Sequence, residues 1–190
     1  MPDLFRGWRQ RRRRRRLAWH LYRQAVAQAR RPEFYAGCGV PDTAEGRFEL
    51  LTLHVLLLWR WLRRQPGEEK ARLAQAVVDT CFTDIDRNLR EMGVGDLSVG
   101  KHVKRIAGSF LARTRDLAKA LDRRDADAVA AILARNLEEP GRPAADAAAL
   151  ARYALAQDAA LRSAAPPDPV DARVPFLPPR FGADGDDARH

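Results

Sequence analysis

The chain has 190 residues, of which 46% are hydrophobic and 31% charged, and its formal net charge is +9. That length suits one domain with a sizeable core. No charge-free run of about 18 apolar residues occurs, so a membrane-spanning helix is not expected, and the two cysteines, Cys38 and Cys81, with no secretory signal ahead of them, point away from a disulfide scaffold and towards a reducing compartment.

The excess charge is local. Residues 1–31 hold eleven arginines against one acid, Asp3, a net of +10, whereas the rest of the chain holds 23 bases and 24 acids. A basic arm on a neutral body suits a tether to something anionic: lipid head groups, or RNA phosphate such as that of a ribosome. A solvated arm is the plain alternative. The contact candidates are Trp8, Arg11, Arg12, Arg13, Arg14, Arg15 and Arg16. A transit peptide fits less well, because the arm is nearly devoid of Ser and its arginines form a block rather than one helical face.

After the arm, residues 1–16, the first periodic segment is Leu17, Leu21, Ala25, Val26 and Ala29, which predicts a helix over about 17–30 stopped by Pro32. EFYAGCGVP, 33–41, reads as an irregular connection. Asp42 precedes Glu45 by three, a capping-box spacing, and a helix over about 43–64 follows. Its apolar residues cover the whole circumference, so other helices are expected around it. A third helix, about 68–92, carries the ridge Leu73, Val77, Cys81, Ile85, Leu89, which places Cys81 in the core and pairs Asp86 with Arg90 on the outer side. A fourth is expected over 98–122 with Val99, Val103, Ile106, Phe110, Leu117 and Leu121 inward and Lys101, Lys104 and Arg105 outward. The fifth covers about 127–138 and the sixth about 143–164. Residues 165–190 contain six prolines in the 25 from Pro166 onward and read as a disordered or draped tail. No segment alternates with period two. The expected fold is therefore all-α, a single-domain bundle of about six helices spanning 17–164.

GVGDLSVGKHVKR, 93–105, is one residue short of a phosphate-loop pattern. A phosphate loop needs a preceding strand and a Ser/Thr after the Lys to hold Mg²⁺; here a helix precedes and His102 takes that place. The same letters read more simply as a glycine C-cap, a turn pinned by Val94 and Leu97, and a helix capped by Asp96 or Ser98, with Gly100 permitting a close helix approach. His20, His54, His102 and His190 have no ligand spacing with one another or with the cysteines, so neither zinc nor any other cofactor is expected, and His54 reads as a hydrogen-bonded core histidine rather than a haem ligand. No nucleophile, base or carboxylate dyad stands out, and the chain does not read as an enzyme.

Two long strings carry a more specific signal. RPEFYAGCGVPDTAEGRFELLTLHVLLLWRWL, 31–62, and DIDRNLREMGVGDLSVGKHVKRIA, 84–107, resemble the ubiquinol-cytochrome c chaperone family, most strongly over 17–140. The resemblance implies an all-helical, non-catalytic assembly factor of respiratory complex III that binds newly made cytochrome b, and, in mitochondrial members, a small partner protein near the ribosomal exit and the inner membrane. The Arg/Ala-rich composition looks bacterial, which places the chain in the cytoplasm, peripheral to the inner membrane, and leaves its oligomeric state open. The charged positions shared with the family, Asp42, Arg47, Asp86, Arg90, Asp96, Lys101, Lys104 and Arg105, are the client- or partner-contact candidates. Trp59 and Trp61 join them if the second helix lines an exposed groove.

Overall fold

The structure, a computed structural model, describes residues 2–91, 96–138, 140–141, 143–165 and 172–181, with the side chains of 2–6, 96–99, 101–102 and 105 outside that description. Among the described residues there are seven helices and no strand: α1 (Pro2–Ala29), α2 (Pro32–Ala36), α3 (Ala44–Arg64), α4 (Glu68–Glu91), α5 (Asp96–Arg123), α6 (Ala126–Leu137) and α7 (Ala147–Ser163). The all-α bundle expected from periodicity is present, and α2 is one added turn in the supposedly irregular connection. Pro32 stands in its first turn, where a missing N–H costs nothing.

The bundle is organised around α3, which packs against α1, α4, α5, α6 and α7. It buries thirteen of its 21 residues, from Gly46 to Leu62, as an all-round apolar helix must. Thr43 is its N-cap, its hydroxyl accepting from the Gly46 N–H at 3.2 Å; Asp42, expected in that role, instead accepts from Arg47 Nε at 2.6 Å. α1 contributes Ala18, Leu21, Tyr22, Ala25 and Ala29, and α4 contributes Leu73, Ala74, Val77 and Cys81. The arm is continuous with the bundle: α1 runs unbroken from Pro2, so residues 2–16 are the outer part of a 28-residue helix about 42 Å long, with the arginine block 11–16 near its middle.

Asp125 and Asp146 cap α6 and α7, accepting from the N–H of Ala128 at 2.9 Å and Ala149 at 2.8 Å. α5 begins at Asp96, so Ser98 is inside it and does not cap it. Gly100 is also within α5 and a Cβ there would meet nothing within 4 Å, so it serves no close helix approach; Gly93 and Gly95 lie outside the described residues.

The proline-rich segment 172–181 is draped across α1 and α7 by three glutamines. Gln24 donates to Ala172 O at 2.6 Å and accepts from Val174 N–H at 2.9 Å; Gln157 accepts from Leu177 N–H at 2.6 Å; Gln28 donates to Leu177 O at 2.7 Å. These side-chain amides stand in for the missing strand partner of an extended chain. Phe176 and Phe181 then close an aromatic cluster with Phe34, His54 and Tyr153.

Candidate functional site

Between α3, α4 and α5 the bundle leaves an open groove of about 740 Å³. Leu56 and Trp59 of α3, Val78 of α4, and Phe110 and Leu111 of α5 form its apolar surface, with Gln75, Arg115, Lys119 and Asp122 at the rim. Trp59 is half-buried, and Leu111 is 63% exposed. Single exposed apolar residues are ordinary, but a leucine standing at a groove beside a half-buried Trp makes a contiguous apolar patch of the kind that marks an interaction surface.

Ion pairs tie the walls together. Glu49 of α3, 1% exposed, accepts from Arg113 Nη1 at 2.6 Å and from Asn136 Nδ2 at 2.9 Å. Buried Arg60 donates to Asp122 at 2.6 Å, to Ala118 O at 3.2 Å and to Asp158 of α7 at 2.9 Å. α5 is thus clamped to α3 by two buried ion pairs, and a T-shaped Phe82–Phe110 contact with centroids 5.3 Å apart joins α4 to α5. Burial works against the charge of Asp158, but hydrogen bonds from Arg60, Arg64 and Arg162 outweigh it and hold the carboxyl at about 2.

A second groove, about 660 Å³, lies between α1 and α4, lined by Arg11, Arg14, Arg15 and Trp19 on one side and by Arg72, Gln75, Asp79 and Thr83 on the other. Arg14 reaches across it to Glu69 at 3.2 Å. Gln75 borders both grooves.

The structure distributes the sequence candidates widely. Among the candidates whose side chains are described, Trp59 lines the α3/α4/α5 groove. Trp61 is fully buried, with its indole N–H donating to Ala164 O at 3.4 Å, and is core rather than client contact. Asp42 and Arg47 pair with each other, exposed, at the opposite end of α3, and Asp86 and Arg90 pair at 2.8 Å on α4. Lys104 is exposed on α5, while the side chains of Asp96, Lys101 and Arg105 lie outside the described residues. Trp8 is 58% exposed beneath the Arg12 guanidinium, 5.5 Å from its ring centroid; Arg11, Arg12, Arg13, Arg15 and Arg16 are exposed and Arg14 is half-buried. Leu111, Val78, Arg115 and Lys119 were not singled out by the sequence. A signal was present as Leu111, Arg115 and Lys119, which advance by four along α5 beside the inward stripe.

The buried histidine and both cysteines have structural roles. His54 Nδ1–H donates to Leu50 O at 2.7 Å, and its Nε2 accepts from the Tyr153 hydroxyl at 2.9 Å, which in turn accepts from Gln28 at 3.0 Å. Burial lowers the imidazole to about 4, leaving it neutral. Burial likewise pushes both thiols, Cys38 and Cys81, up to about 12, far from thiolate reactivity. Residues 96–100 are helix, so the backbone N–H cradle of a phosphate loop is not formed there. Among the described residues no group of three or more His, Cys, Asp or Glu is placed to hold a metal ion, and no helix is long and apolar enough to cross a membrane.

Comparison with known proteins adds the family. The family model for ubiquinol-cytochrome C chaperones matches residues 36–174. Among solved structures, the crystal structure of the Cbp3 homolog from Brucella abortus is 36% identical, covers 86% of this chain and 88% of its own, and superposes with a TM-score of 0.72. No curated protein matches at a significant level.

Proposed function

The chain belongs to the ubiquinol-cytochrome C chaperone family, and from that membership we propose that it is a non-catalytic assembly chaperone of respiratory complex III that holds newly made cytochrome b in the α3/α4/α5 groove. The observation that carries the placement is the pairing of half-buried Trp59 with exposed Leu111 at a contiguous apolar groove. A chaperone for an apolar client needs an apolar surface that stays open in the folded state, and the ion pairs Glu49–Arg113 and Arg60–Asp122 hold α5 in place against α3 beside this one. Capture of the chain from cells should recover cytochrome b, and Leu111→Lys should remove it while the melting temperature stays within a few degrees. Equal recovery by the variant would move the client elsewhere.

A second reading concerns α1, because its outer part carries exposed Arg9, Arg11, Arg12, Arg13, Arg15 and Arg16 and exposed Trp8 on a continuous helix. Six consecutive arginines, 100° apart, surround the helix rather than face one side, which suits a polyanion or a charged surface. This half of α1 is proposed as the attachment to a ribosome or to anionic lipid. Sedimentation with ribosomes and with anionic vesicles at rising salt, against a deletion of residues 1–16, separates the two; no binding to either leaves a solvated helix.

A further inference from the structure

We infer that the segment seated in the α3/α4/α5 groove is an amphipathic α-helix of about four turns whose apolar face is flanked by acidic residues, and not a helix apolar on all sides; the inference rests on the groove being the client site.

Shape argues for a helix. The face that α5 turns to the groove runs from Gly108 through Leu111, Ala112, Arg115 and Lys119 to Asp122, about 21 Å at 1.5 Å per residue. A helix of about 14–16 residues laid alongside matches that length. Gly108 and Ala112 allow its backbone close to α5, at the short end of the usual 8–10 Å helix spacing. A Cβ on Gly108 would meet nothing within 4 Å among the described residues, so no described contact requires that glycine, although it lowers the stability of the helix that contains it.

The groove is open on one side, so it covers only one face of such a helix. A helix apolar all round would leave its remaining faces in water.

Charge sets the flanks. Arg115 and Lys119 stand on the rim, and the Arg63 guanidinium lies over the Trp59 ring at 5.9 Å from its centroid. The acids nearby are largely engaged: Asp122 is held by buried Arg60 at 2.6 Å, and Asp116 sits 3.9 Å from Arg115. Lys119 has no carboxylate partner among the described residues. The rim is therefore cationic around an apolar floor, which favours Glu or Asp beside the client's apolar stripe and penalises Lys or Arg there.

The test uses the full chain and three labelled helical peptides of about 16 residues with one Leu/Ala face and flanks of Glu, Gln or Lys, followed by fluorescence anisotropy. The Glu peptide should bind about tenfold tighter than the Lys peptide at low salt, as three rim pairs would provide, and the difference should shrink at about 1 M salt. Leu111→Lys and Gly108→Leu should each abolish binding with the circular dichroism spectrum unchanged. Arg115→Glu with Lys119→Glu should reverse the preference. Binding of none of the peptides, or equal or tighter binding of the Lys peptide, would overturn the inference. So would self-association of the chain abolished by Leu111→Lys, which would put a second copy in the groove. Cross-links from position 111 to cytochrome b in cells, read alongside, keep the two claims apart: cross-links without peptide binding defeat the helix inference alone, and peptide binding without cross-links defeats the client assignment alone.

Discussion

His54 sits among Phe34, Tyr153 and Phe176 with both ring nitrogens engaged, and this environment has a measurable pH signature. The folded imidazole titrates at about 4, whereas the unfolded one titrates near 6.5. Between those values the unfolded chain takes up a proton that the folded chain does not, so stability is complete above about pH 6.5 and declines as the pH falls towards 4, by up to about 1.4 kcal/mol per pH unit. Urea midpoints between pH 7 and 4.5 should fall accordingly, and His54→Phe should flatten that slope while lowering stability at pH 7. Asp158 acts lower, its contribution being lost as the pH falls from the unfolded value near 3.8 towards about 2. A second residue-scale test is Gly46, where a Cβ would stand 2.0 Å from the Pro41 carbonyl oxygen. Gly46→Ala must displace backbone at the entry to α3, so thermal melts should show a loss at or beyond the upper end of the usual overpacking range of about 1–3 kcal/mol.

At the scale of elements, α3 carries both the core and the polar ties that orient its neighbours. Arg60 joins α3 to α5 through Asp122 and to α7 through Asp158, which also receives Arg64 and Arg162. Asp158→Ala leaves a buried guanidinium short of its main partner and should cost about 3–5 kcal/mol in chemical denaturation; Arg60→Met with Asp158→Leu should recover most of it, because a well-packed apolar pair replaces a buried ion pair at little net cost. Element positions were legible in the sequence because apolar residues recur every three or four: Leu73, Val77 and Cys81 fixed the inward face of α4, and Phe110, Leu117 and Leu121 that of α5. Helix entries were less legible. Asp42 and Thr43 are both good caps in composition, and the structure gives the role to Thr43 while Asp42 pairs with Arg47. The extension of α1 to Pro2 was hidden because an all-arginine stretch has no apolar period to read.

Across the whole molecule, what the sequence could not place were features created by two or three elements meeting. Trp59 and Trp61 are two residues apart and equally apolar, yet one faces the groove and the other the tail side of the core, where its indole meets Ala164. The draped segment 172–181 depends on Gln24, Gln28 and Gln157, residues about 150 and 20 positions away that carry no local signal. Leu111 is identifiable as a site residue only once α3 and α4 are seen to leave space beside it. The family strings located charged candidates, whereas the tertiary arrangement located the apolar opening, and among the candidates whose side chains are described Trp59 lies at it. The proposed role therefore depends on the client entering that opening. A photo-cross-linking residue at position 111, with translation products labelled in cells, addresses this directly: a cross-link to newly made cytochrome b that is absent when the probe is placed at exposed Arg87 on α4 is the predicted result, and cytochrome b cross-linking from position 87 but not from 111 would contradict it.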